Sequence, residues 1–164
     1  MQIRTATDAD AEPLRHYAEA LFSEDLPGIF RREAPTLAEE ADFIRSHLEP
    51  ENATMLLAEE EGRIIGLLAF MGRTRAEEAH AGEFGLSVAP GYRGRGIGTA
   101  LIDALLAWAP EHGVSRVEVA AWSTNPGAAR LYRRLGFVDE GLARRAVIRD
   151  GEPVDVHLMA RLLP

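Results

Sequence analysis

Leu14, Tyr17, Ala18, Leu21 and Phe22 recur at the three- and four-residue steps of one helix face. Thr7 and Asp8 offer an N-cap before them, with Asp10 three residues after Thr7, and Leu26-Pro27-Gly28 breaks the pattern. Ahead of this helix, residues 2–6 read as a strand. A second helix is predicted from Thr36, where Glu39 completes a capping box; its apolar seam is Leu37, Ala41, Ile44 and Leu48, and Pro50 lies past its end. Residues 54–59 and 63–71 are apolar runs around Glu61-Gly62, a hairpin signal. The run Ile64 to Phe70 hardly alternates, which predicts a strand covered on both faces. Residues 82–89 form another strand, ended by Pro90-Gly91.

Beyond a glycine-rich stretch, a helix is predicted from Gly98 to His112, with Leu101, Ile102, Leu105, Leu106 and Ala109 buried and Gly113 closing it. Residues 116–122 alternate as a strand. Asn125-Pro126 reads as N-cap and first-turn proline of a helix whose seam is Ala128, Leu131, Tyr132 and Leu135. Residues 137–148 and 154–162 flank Asp150-Gly151, a second hairpin signal. The order β-α-α-β-β-β-α-β-α-β-β predicts an α/β fold with one mixed sheet and helices on its faces. At 164 residues, the chain is expected to be one domain spanning 1–164.

Composition narrows the chemistry. There is no cysteine, which excludes disulfides, thiol nucleophiles and cysteine metal sites. All 18 basic residues are arginine, so Schiff-base chemistry and a P-loop lysine are excluded too. The net charge of −8 argues against nucleic acid as the partner. No apolar run approaches the ~20 residues of a membrane helix. Met1 to Asp10 does not resemble a signal peptide, so a cytoplasmic location is expected. No His pair has H-x-x-x-H spacing, and no metal site is expected. The acids concentrate before residue 83, which makes the second half the natural host for an anionic ligand.

Within that half, Val88-Ala89-Pro90-Gly91-Tyr92-Arg93-Gly94-Arg95-Gly96-Ile97-Gly98-Thr99 joins a strand to a helix. Glycines let backbone approach a ligand closely, and the free N–H groups of a helix start favour phosphate. A dinucleotide fingerprint fails in both registers, because Thr99 or Leu101 stands where its third glycine belongs.

Arg93-Gly94-Arg95-Gly96-Ile97-Gly98 resembles the R/Q-x-x-G-x-G/A signature of the GNAT superfamily of N-acetyltransferases, which binds the pyrophosphate of acetyl-CoA. Asn125, Ala128, Leu131-Tyr132 and Gly136-Phe137 resemble a second run of that superfamily. The resemblance implies a GNAT fold, a mixed central sheet of about seven strands flanked by about four helices. It implies acetyl-CoA as co-substrate, and cofactor contacts from Leu86, Val88, Arg93, Gly94, Arg95, Gly96, Ile97, Gly98, Thr99 and Asn125, with Arg133 reaching toward the 3′-phosphate. It also implies that the strand splays near Leu86 to Val88, so that the Val88 N–H faces the acetyl carbonyl. Tyr132 is placed beside the sulfur as donor to the leaving thiolate.

Glu83, with apolar Phe84 and Leu86 beside it, is the first candidate base and His80 its rival; loss of the proton to water alone is the third option. His80-x-x-Glu83-Phe84-Gly85 and the tail from Asp150 to Met159 resemble the bacterial branch acting on free L-amino acids and phosphinothricin-like amines. By that resemblance the acceptor pocket is built from the first two helices, the loop 24–36 and the final hairpin. Glu24, Asp25 and Glu33 give it an acidic rim, and Arg31, Arg32 or Arg73 would hold a carboxylate. Trp108 and Trp122 read as packing residues. The leading expectation is acetylation of a small-molecule amine. The alternatives are acetylation of a protein N-terminus and a non-catalytic acyl-CoA sensor. The resemblance allows a homodimer, although nothing in the sequence requires one.

Overall fold

A computed structural model describes residues 1–164. The chain runs β1 (Gln2–Thr5), α1 (Ala11–Phe22), α2 (Leu37–Leu48), β2 (Ala53–Glu60), β3 (Arg63–Gly72), β4 (Ala81–Val88), α3 (Ile97–Trp108), β5 (Arg116–Trp122), α4 (Pro126–Arg134), β6 (Val138–Arg149) and β7 (Glu152–Leu162). The seven strands form one sheet in the order β1-β2-β3-β4-β5-β7-β6. Every pairing is antiparallel except β4 with β5. This is the α/β arrangement of about seven strands and four helices that the sequence predicts.

β3 is sandwiched as its unbroken apolar run requires. Leu68 and Phe70 join the core under α3 and α4, while Leu67 and Ala69 face the core under α1 and α2. Gly66 lets α3 come close, since a methyl group there would meet Ile97 Cγ2 at 2.9 Å. Both predicted hairpins form, and Glu61-Gly62 and Asp150-Gly151 carry the paired positive φ angles that tight turns demand.

Three expectations are corrected. The capping box at Thr7 and Asp10 opens a short 3-10 turn, and α1 begins only at Ala11, because Asp10 is held by the Arg4 guanidinium. α3 starts at Ile97 and stops at Trp108; a 3-10 turn carries the chain to His112, because Pro110 has no N–H to continue the helical ladder. The inward face of α2 carries Glu40, Ile44 and His47, with Ala41 and Leu48 packed against the same core and Leu37 left exposed. The predicted seam thus holds over Ala41, Ile44 and Leu48 and fails at Leu37, and two ionisable side chains are turned inside beside it.

Candidate active site

The parallel register between β4 and β5 ends at Glu83 and Glu118, while β4 continues beside β3 to Val88. Beyond Glu83 the β5 side of β4 is therefore open. Ala89 N–H donates to Ile65 O on β3 at 2.9 Å. Backbone groups alternate along a strand, so the amides of Val88 and Leu86 face the opening. The parting begins earlier in the strand than the expected Leu86 to Val88.

A cleft of about 730 Å³ fills the opening and runs to the start of α3. Leu86, Val88, Arg93, Gly94, Gly96, Ile97, Gly98, Thr99, Asn125 and Tyr132 all line it. Gly96 is the N-cap of α3 with φ +79°, a conformation that glycine adopts without strain. It brings no capping side chain, so the first N–H groups of α3 are left to bind an anion. Asn125 caps α4 by accepting from Ala128 N–H at 3.3 Å, and its amide donates to Pro27 O at 3.4 Å. It thus joins the far wall of the cleft to the loop after α1.

Tyr132 is buried edge-on to Phe84 at 5.8 Å. No protein group hydrogen-bonds its hydroxyl, which opens on the cleft. Burial pushes this phenol up to about 12. It is a neutral donor across the physiological range.

The arginines divide differently from the sequence reading. Arg95 lies outside the cleft, paired with Glu60 at 2.8 Å and resting on the Tyr92 ring. Arg133 is also outside it, forked onto Asp139 at 2.7 and 3.0 Å. Arg93 lines the cleft but is tied to Glu24 at 2.5 Å and to Val88 O at 3.1 Å. Arg130 and Arg134 line it with no carboxylate partner. Their i, i+4 spacing beside Gly127 and Leu131 was the available signal.

A second cleft of about 780 Å³ lies on the other face of the sheet, between α1, α2, β3 and β4. Phe84, Gly85, Leu86, Ser87 and Trp122 line both clefts, so the two meet at the parted edge of β4. Ser87 there is hydrogen-bonded to the Tyr17 hydroxyl at 2.9 Å, a link to α1 that periodicity alone did not expose. Glu83 opens into the second cleft. Its carboxyl is raised, first by loss of hydration and then by the neighbouring Glu118 carboxylate, against Arg73. Phe84, expected to supply the apolar contact, instead packs on the opposite face against Tyr132 and Phe137. His80 is exposed one residue before β4 and lines neither cleft. No three His, Cys, Asp or Glu side chains are grouped to hold a metal, and no helix is long and apolar enough to cross a membrane.

Of the three candidate carboxylate binders, Arg73 is held by Glu118 at 2.6 Å and Arg31 by Asp150 at 2.7 and 2.9 Å. Only Arg32 lines the second cleft, with its guanidinium 5.9 Å from the Phe22 ring. Asp25 is taken up by Arg31 and Arg149, while Glu33 remains on the cleft wall. The β6–β7 hairpin does not line this cleft. It clamps the loop above it, through Arg31 to Asp150 and Arg149 to Ile29 O. Trp108 is a packing residue, stacked on His112 at 4.1 Å. Trp122 packs against Phe30 and also walls both clefts.

A glycine-capped helix start, an open strand edge and a buried phenol thus share one cleft, which meets a carboxylate from a second. The chain belongs to the Acetyltransferase (GNAT) family, whose pattern it matches over residues 15–137. It is 30% identical over 164 residues to a phosphinothricin N-acetyltransferase of Streptomyces coelicolor, covering 95% of this chain and 92% of that one. It is also 30% identical over 103 residues to an L-amino acid N-acetyltransferase of Escherichia coli, covering 62% of this chain and 64% of that one. Over other curated relatives the match spans as little as a quarter of their length. The fold coincides with that of a phosphinothricin acetyltransferase from Sinorhizobium meliloti solved with acetyl-CoA, at TM-score 0.88, 24% identity, and 99% and 88% coverage of the two chains. Acetyl-CoA is the acetyl donor of this family. The cleft fits it: free amides at α3, unpaired amides on β4 and two unpaired arginines on α4.

Proposed function

We propose that the chain transfers acetyl from acetyl-CoA directly to the amine of a small amino compound, an amino acid or an analogue of one. The observation that carries this reading is the meeting of the two clefts at Gly85 to Ser87, with Tyr132 on one side and Glu83 on the other. The chain has no cysteine to hold an acyl group between steps, so both substrates are bound together.

Glu83, acting through water, takes the proton that frees the amine lone pair. The amine nitrogen attacks the thioester carbonyl carbon, and the Val88 N–H receives the developing oxyanion. A donor of that kind is worth about 3–4 kcal/mol. As the C–S bond breaks, the Tyr132 hydroxyl donates to the departing sulfur. Arg130 and Arg134, with the α3 amides, hold the phosphates. The similarity to a phosphinothricin N-acetyltransferase and an L-amino acid N-acetyltransferase supports a small acceptor rather than a polypeptide end.

The test is CoA release from acetyl-CoA with L-amino acids and their analogues offered in pools. Turnover with one pool is expected. A melting shift with acetyl-CoA, combined with acetylation of peptide N-termini alone, would overturn the small-acceptor reading.

A further inference from the structure

We infer that Glu40 selects the acceptor, and that the compound acetylated carries a second cationic group, ammonium or guanidinium, on an aliphatic stem. The inference rests on the acetyltransferase reading of the two clefts.

Glu40 is 5% exposed, yet it lies on the wall of the second cleft. No arginine and no hydrogen-bond donor of the protein meets its carboxyl. Its helix neighbours are placed otherwise: Glu39 caps the Thr36 N–H, and Asp42 lies beside Arg45. A carboxylate largely stripped of water, with no protein partner and its oxygens still reached from the cleft, gains from a cation that completes the pair. Burial alone raises the carboxyl, as expected for an acid still lacking its cation.

The other charged groups of the cleft do not supply that cation. His47, two turns further along α2, donates Nδ1–H to Phe43 O, and burial lowers its pKa, so the ring is neutral. Arg32 rests at the Phe22 ring. It remains free for a carboxylate on the same compound. Glu33 and Glu83 add negative charge to the wall. Leu14, Leu21, Phe43 and Met71 line the space between, a surface suited to methylene groups. Glu40 and His47, buried on α2 beside its apolar seam of Ala41, Ile44 and Leu48, are the kind of departure from local pattern that marks a functional position.

The experiment compares kcat/KM for L-ornithine and L-lysine with that for L-norleucine, using the full chain, Glu40→Gln and Glu40→Leu. The wild type is expected to favour the basic acceptors by about tenfold or more. Glu40→Gln should bring that ratio toward one, through KM, and Glu40→Leu should invert it. Binding of 1,5-diaminopentane against pentylamine, measured calorimetrically on the wild type with CoA bound, gives the same comparison if a variant fails to fold. A wild type that turns over norleucine as well as ornithine, or a preference kept in Glu40→Gln, overturns this inference and leaves the acetyltransferase reading standing. No CoA release with any small amine overturns both.

Discussion

Glu83 and Glu118 are partners in the last rung that joins β4 to β5, with their side chains on the same face of the sheet. Glu118 is held by Arg73 and Arg116 at 2.6 Å each and stays ionised, whereas Glu83 has no such partner and is raised. Two carboxylates side by side thus titrate apart, the arrangement that divides structural from chemical roles.

The pH dependence follows from that pair. A raised carboxyl becomes a base at higher pH, so the ascending limb of kcat/KM should lie above the ordinary glutamate range. Glu83→Gln should remove the limb. Glu118→Gln withdraws a negative neighbour and should move the limb to lower pH. The same shift has a stability side: ionisation of Glu83 is disfavoured in the folded state, so its charge detracts from stability once pH exceeds the unfolded value. Glu83→Gln should therefore melt no lower than wild type at neutral pH. A limb unmoved by both variants would remove Glu83 from the mechanism.

Tyr132→Phe should separate activity from folding. The ring contacts with Phe84 and Phe137 survive the substitution, and the lost hydroxyl has no protein partner. Turnover is expected to fall at least about tenfold, a loss near 1.4 kcal/mol of transition-state stabilisation. The melting temperature should hold or rise slightly. Steady-state kinetics and a thermal melt on one preparation check both, and full activity in the variant would exclude the phenol as donor to the thiolate.

Much of this site was legible in the sequence, for local reasons. The glycine loop, the Asn125-Pro126 helix start and the Tyr132 seam are patterns of neighbouring residues, and each lies where its spacing implied. The arginine assignments were not legible, because all of them are exposed and only tertiary pairing decides which is taken. Arg31 is claimed by Asp150 and Arg93 by Glu24, partners distant in sequence. Glu40 was hidden for the opposite reason: a polar residue in an apolar rhythm reads as surface until the packing of α2 turns it inward.

The arginines of α4 give a direct comparison on one helix. Arg130→Ala and Arg134→Ala should each weaken acetyl-CoA binding by roughly threefold to tenfold, because each removes an unpaired charge from the cleft. Arg133→Ala, whose guanidinium faces Asp139, should leave it unchanged. The difference should shrink as salt is raised. Dissociation constants for acetyl-CoA at two ionic strengths decide it, and a stronger effect at Arg133 would restore the sequence reading.

Acid stability should depend on one ion pair remote from both clefts. Asp10 accepts from both terminal nitrogens of Arg4, at 2.7 and 2.8 Å, and from Thr7 N–H at 2.7 Å. Arg4 in turn donates to Glu59 on β2 at 2.8 Å, so the fork ties the turn before α1 to the sheet. Asp10 is lowered chiefly by the Arg4 hydrogen bonds. A carboxyl depressed in the folded state contributes its stability above the unfolded value, near ~3.9 for aspartate, and loses it as pH falls toward the folded one. Asp10→Asn should therefore cost about 1.5–3 kcal/mol at neutral pH, the usual worth of a charged hydrogen bond. The gap from wild type should narrow as pH falls below 4, because the wild type is then losing the same interaction. Denaturant melts across that range measure the gap, and a difference constant with pH would mean that the loss comes from packing instead of charge.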